Sequence, residues 1–166
     1  MAASARHRLL ANANTLLNVP VNVSVVIPVY RGETTLPNLM AELEPLTALQ
    51  ETPAGREFRI AEVLLVWDRG PGHSDQTLRE LSGKYSWVKP IWLSRNFGQH
   101  AATLAGMTSS GGEWIVTMDE DGQQDPSYIG ALLDTAYGEG AQLVYGTPAN
   151  PPPHTAFRNA GSKFAK

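Results

Sequence analysis

The 166-residue chain contains no cysteine. That absence excludes a disulfide framework, thiolate metal sites and a cysteine nucleophile, and it fits a reducing compartment, with the cytoplasm as the default. No run of Lys and Arg could neutralise successive phosphates along a duplex, and the formal charge is -3, so no nucleic-acid partner is expected. No stretch approaches the roughly 20 apolar residues of a membrane-spanning helix, and the chain as given reads as soluble. The commoner nucleotide and hydrolase signatures are missing as well. There is no Gly-Lys-Ser/Thr phosphate loop and no Gly-x-Ser-x-Gly elbow, and Gly70-x-Gly72 has Asp75 where the third glycine of a dinucleotide fingerprint belongs. Dehydrogenase and P-loop readings are thereby demoted. His7, His73, His100 and His154 show no ligand spacing and read as surface or packing residues.

What is present is a composition of 42% hydrophobic and 17% charged residues with 15 Gly and 12 Pro, which at this length suggests about one domain. Residues 1–22 read as an N-terminal arm: a basic start (Arg6, His7, Arg8) and an apolar part broken by Asn12, Asn14 and Thr15 make a poor signal peptide. A domain over 23–166 follows. Val23 to Ile27 is a nearly continuous β-branched run, as in strands buried on both faces. Leu36, Leu39, Met40 and Leu43 predict a helix over about 35–49, with Pro37 in its first turn and Pro45 ending or kinking it. A loop over 51–57 leads to a strand from Ile60 to Trp67. The alternation continues with a helix over about 74–84 capped by Ser74, a strand Val88 to Leu93, a helix over about 98–109, and a strand Trp114 to Met118. Asp125-Pro126 reads as the cap and first-turn proline of the next helix, and Gln142 to Tyr145 as a fifth strand. Alternating strands and helices predict an α/β fold with a mostly parallel sheet flanked by helices. Thr155 to Lys166 reads as the opening of a further helix, so the domain is expected to be incomplete at its C-terminus.

Ligands of open parallel sheets bind beyond the carboxyl ends of the strands. Those ends carry Pro28, Tyr30 and Glu33; Asp68; Ser94, Arg95 and Asn96; and Asp119, Glu120, Asp121 and Gln123. Side chains two apart on an extended segment point the same way, so Asp119 and Asp121 could share one cation. Their carboxylates and the Gln123 amide oxygen are hard donors suited to Mg²⁺ or Mn²⁺ with positions open for a diphosphate. The spacing excludes a calcium loop, because Gln124 stands where glycine is needed and Gly130 where glutamate is needed. The alternative is an acidic, solvated turn after a buried strand.

Four stretches in order carry a family resemblance. They are Val23-Ser24-Val25-Val26-Ile27-Pro28-Val29-Tyr30 with Glu33; Leu93-Ser94-Arg95-Asn96-Phe97-Gly98-Gln99 with Ala101-Ala102 and Ala105-Gly106; Met118-Asp119-Glu120-Asp121-Gly122-Gln123; and Phe157-Arg158 with Ser162-Lys163. Together they resemble inverting GT-A-fold glycosyltransferases of the polyprenyl-phosphate type, such as dolichyl-phosphate mannose synthases and undecaprenyl-phosphate sugar transferases. The resemblance implies a Rossmann-like nucleotide-sugar-binding domain with a D-x-D motif. Pro28, Tyr30, Glu33, Asp68, Asp119, Glu120 and Asp121 would bind the donor, a UDP- or GDP-sugar. Asp119, Asp121 and Gln123 would hold Mg²⁺ or Mn²⁺, and Arg158 would lie near the phosphates or the acceptor. The acceptor implied is a polyprenyl phosphate, reached at the inner, cytoplasmic face of a membrane whose surface the missing C-terminal part would meet. Self-association into a homo-oligomer is a further expectation, since that missing part would leave apolar surface uncovered. No catalytic base is implied. The chain departs from the pattern at Trp67 and at 69–73 beside Asp68, and at Pro148, where an arginine is usual. A catalytically inactive or truncated nucleotide-sugar-binding or scaffold module of the same fold is the alternative.

Overall fold

The structure is a computed structural model that describes residues 19–147. Arg158, the Phe157-Arg158 and Ser162-Lys163 stretches, Pro148 and the helix expected from Thr155 lie outside the described residues.

The sheet is built around β1 (Val21–Val29), which is buried along nearly its whole length. It runs parallel to β3 (Glu57–Trp67) on one edge and to β5 (Trp114–Thr117) on the other. A strand paired on both edges and covered on both faces has no position for a solvated side chain, which is why its sequence is a continuous apolar run. It begins at Val21, paired with Phe58, so residues 21 and 22 belong to the sheet. The far edge of β3 takes two partners in succession: β2 (Gln50–Glu51), antiparallel at its start, and β4 (Val88–Trp92), parallel along Val63 to Trp67.

Four α-helices cover the sheet: α1 (Leu36–Leu43), α2 (Ser74–Lys84), α3 (Gln99–Ser109) and α4 (Ile129–Glu139). Alternate residues of β1 serve two cores. Val23, Val25 and Ile27 join Leu36, Leu39, Met40, Leu43, Leu78 and Leu133 from α1, α2 and α4. Val26 joins Leu64, Val66 and Ala102 beneath α3. That helix lies so close to the sheet that a Cβ on Gly106 would fall 2.3 Å from Val26 Cγ1.

Three expectations are corrected. The helix expected over 35–49 ends as an α-helix at Leu43 and passes into a 3₁₀ turn over Glu44–Thr47, where Pro45 has no amide to continue the ladder. The fifth strand expected at Gln142 to Tyr145 is not formed. Leu143 and Tyr145 are 66% and 79% exposed, and an apolar run becomes a strand only when a neighbouring strand accepts its hydrogen bonds. Ser74 is the first residue of α2 rather than its cap, because its hydroxyl is committed to the carboxylate of Glu33. Asp125 does cap, accepting from the Ser127 amide at 2.8 Å, but what it caps is a 3₁₀ turn over Pro126–Tyr128 that leads into α4. Among the described residues no helix is long and apolar enough to cross a membrane.

At the end of the sheet away from the strand termini, Glu62 is buried at a register shift between β1 and β3. Its carboxylate accepts from Ser24 Oγ, the Gly111 amide and Lys89 Nζ, each at 2.6 Å. Burial opposes its charge, but the bonds from Lys89, Ser24 and Gly111 outweigh that and hold its carboxyl below the ordinary range. A lowered native value stabilises the fold above the unfolded value near 4.5 and ceases to do so as pH falls through the native one. Glu62→Gln is therefore expected to cost roughly 1–3 kcal/mol at pH 7. In urea titrations its deficit relative to the unmodified chain should shrink between pH 5 and pH 3; a deficit independent of pH would contradict this account.

Candidate functional site

The carboxyl ends of β1, β3 and β5 and the loop between β4 and α3 surround an open cleft of about 510 Å³. Pro28, Tyr30, Asp68, Asp119, Glu120 and Asp121 all line it, together with Asn96, Gly98 and Gln99. The parallel sheet explains the convergence, since each strand points the same end at the same edge and its following loop must turn there.

Asp68 is 4% exposed and directly follows β3. Its two carboxylate oxygens accept separately from the Phe97 amide at 2.7 Å and the Gly98 amide at 2.8 Å, while its carbonyl accepts from Asn96 Nδ2 at 2.9 Å. This one residue therefore moulds the whole turn that enters α3. Gly98 sits there at φ 89, a conformation that favours glycine.

Glu120 ties β5 to β1. Its carboxylate accepts from the Tyr30 amide at 3.0 Å and the Arg31 amide at 2.9 Å, across 90 and 89 residues of sequence. It shapes the wall beside Tyr30 rather than presenting a free carboxylate. Asp119 and Asp121, on either side, remain facing the cleft. Gln99 Nε2 donates to Asp119 Oδ1 at 2.7 Å, and the Asp119 amide donates to Gln124 Oε1 at 2.6 Å. Asp121 Oδ1 accepts from the Gln123 amide at 3.0 Å, closing a local turn that passes through Gly122 at φ 71.

Two predicted residues lie elsewhere. Gln123 lines a neighbouring depression with Gly122, Asp125 and Glu42. Glu33 is not part of the cleft lining; its carboxylate accepts from Ser74 Oγ at 2.5 Å, and Ser74 Oγ accepts from the Gly32 amide at 3.1 Å. That bond from Ser74, then its own backbone amide, lower the Glu33 carboxyl below its ordinary value.

The donor set fits a hard divalent cation in part. Asp119 and Asp121 offer carboxylate oxygens on one wall, but among the described residues no group of three or more His, Asp or Glu side chains is gathered as a closed metal site. Such an open pair suits a cation that takes its remaining oxygens from a diphosphate and water. Gln99 lines the cleft and stands in the Leu93–Gln99 resemblance stretch, which gave it no role. Its signal was position alone: it follows the Asn-Phe-Gly turn and opens a helix whose first side chain must face the strand ends.

The chain matches the profile of glycosyl transferase family 2 over residues 24–164. It belongs to that family. Over 146 residues it is 37% identical to undecaprenyl-phosphate 4-deoxy-4-formamido-L-arabinose transferase of Klebsiella pneumoniae (strain 342), covering 86% of this chain and 41% of the relative. It is 41% identical over 115 residues to the protein of the same name from Pseudomonas aeruginosa (strain LESB58), covering 69% of this chain and 32% of the relative. The chain thus spans less than half the length of these curated relatives. Among solved structures, S. aureus TarS 1-349 in complex with UDP superposes with a TM-score of 0.51 at 21% identity, over 70% of this chain and 33% of that one. The fold is accordingly that of a GT-A glycosyltransferase domain.

Proposed function

We propose that the chain is the donor-binding part of a glycosyltransferase that moves a sugar from a UDP- or GDP-sugar to a polyprenyl phosphate with inversion. The observation that carries the reading is that Asp119 and Asp121 line one cleft together with Tyr30 and Asp68. The names of the relatives support the acceptor class.

In this reading Pro28 and Tyr30 flank the nucleoside, and Asp68 holds the turn carrying Asn96 and Gly98 against it. Asp119 and Asp121 would hold Mg²⁺ or Mn²⁺, which offsets the charge that develops on the leaving nucleoside diphosphate. Gln99 keeps the Asp119 carboxylate oriented. The acceptor phosphate is already anionic at neutral pH, so attack on the anomeric carbon demands no strong base from the chain. Arg158 is proposed to act near the phosphates. A nucleotide-sugar-binding module without turnover is the second reading, since among the described residues no group of three or more His, Asp or Glu side chains is gathered as a metal site.

Calorimetric titration with UDP and GDP, with and without Mn²⁺, tests the donor site. Asp121→Ala is expected to lose at least tenfold in cation-dependent affinity, roughly 1.4 kcal/mol. Equal binding by the variant would remove Asp121 from the site. Sugar transfer to a short polyprenyl phosphate then separates an enzyme from a binding module.

A further inference from the structure

Beside the cleft, the edge of the sheet carries an array in which arginines alternate with aromatic rings. The Arg79 guanidinium of α2 stands 4.5 Å from the Trp92 ring, which meets Trp67 edge-on at 5.6 Å, and Trp67 in turn carries the Arg69 guanidinium at 4.8 Å. Arg69 Nε donates to the Leu93 carbonyl at 3.1 Å. Two residues on, Arg95 stacks on Phe97 at 4.8 Å. The chain carries this second pair from β4 into the turn shaped by Asp68, and Phe97 sits between Asn96 and Gly98, both of which line the cleft.

Two features set the chemistry of this edge. Trp92 and Phe97 are 38% and 47% exposed, although large rings usually hide. As with every arginine among the described residues, none of the three guanidiniums has a carboxylate within 4.0 Å; the ion pair found there is Lys89 with Glu62, elsewhere on the sheet. Arg69 also holds the backbone at φ 54, which a non-glycine residue adopts at a cost. The cations are positioned by rings rather than neutralised by acids, and the charge they present is available to an outside partner.

We propose that this edge is a docking surface for anionic lipid headgroups. Guanidiniums pair with phosphates, while tryptophan and phenylalanine place apolar bodies at the level where headgroups meet acyl chains. Three guanidiniums along one stretch suit a multiply charged surface better than a single small anion. The proposal rests on the reading above, in which the acceptor phosphate is carried by a lipid: docking here would bring the mouth of the donor cleft to the membrane plane.

The test is sedimentation of the chain with vesicles of phosphatidylcholine, with and without phosphatidylglycerol. Preference for the anionic vesicles is expected. Each basic side chain near such a surface contributes about fivefold to partitioning. Arg79→Ala with Arg95→Ala should therefore reduce it roughly 25-fold. A charge-matched control, Arg56→Ala with Arg59→Ala, removes two cations that lie elsewhere, on Tyr137 and Asn22, and should partition like the unmodified chain. Equal losses in the two double variants, or no preference for anionic vesicles, would overturn the proposal. So would tighter binding to polyglutamate than to vesicles, which would mark an acidic protein partner. UDP and GDP titrations of Arg79→Ala alone should be unchanged. Absence of nucleotide binding in the unmodified chain would instead count against the donor site, and the vesicle result would still stand on its own.

Discussion

Gly70→Ala is expected to lower the melting temperature by roughly 10 °C, corresponding to a loss of about 3 kcal/mol or more. Gly70 lies in the turn leaving β3, where a Cβ would fall 1.7 Å from the Tyr30 carbonyl oxygen and 2.5 Å from its carbonyl carbon. That is about 1.5 Å inside an ordinary carbon–oxygen contact. Both obstructing atoms are backbone, so no rotamer change relieves the clash; either the end of β1 or the turn itself must move. The same displacement would part Tyr30 from Asp68, which follow the neighbouring strands β1 and β3 and both line the cleft. Thermal unfolding followed by circular dichroism, with a UDP and GDP titration below the transition, checks both effects. A variant with unchanged melting temperature and nucleotide affinity would show that the close approach is not needed.

The second large effect concerns Asp68. Asp68→Ala is expected to cost about 2–4 kcal/mol, because two backbone amides lose charge-assisted bonds to a buried carboxylate. Asp68→Asn should recover little of this. The carboxylate accepts from the Phe97 and Gly98 amides on different oxygens, whereas an asparagine offers one oxygen and one amino group, and the amino group would face an amide donor. If Asn were nearly as stable as Asp in denaturant titrations, the two-amide clamp would not be the source of the stability. Either variant should also weaken nucleotide binding, since the residues released, Asn96 and Gly98, line the cleft.

Much of the architecture was legible locally. Apolar runs of strand length alternating with helical periodicity define the β-α-β succession. The helix over 74–84 and the Asp125-Pro126 cap appear where the residues themselves call for them. Failure came where local preference meets a distant requirement. Among the described residues Gln142 to Tyr145 has strand composition but no strand pairs with it, and Ser74 has capping chemistry but a better acceptor in Glu33.

The site divides in the same way. That Asp68, Asp119, Glu120 and Asp121 stand at strand ends follows from sequence alone, because pattern and punctuation locate the ends and parallel pairing gathers them on one edge. Which carboxylates stay free was decided only by tertiary packing. Glu120 spends its oxygens on amides about ninety residues away, and Asp68 on amides of a turn that follows a different strand. The arginine–tryptophan array was equally invisible, since Trp67, Arg79 and Trp92 meet only when β4 docks against β3 with α2 beside it. The physical reason is range. Propensity and periodicity act over a few residues, whereas the choice of a hydrogen-bond or stacking partner is made by whatever groups the closed sheet brings within reach.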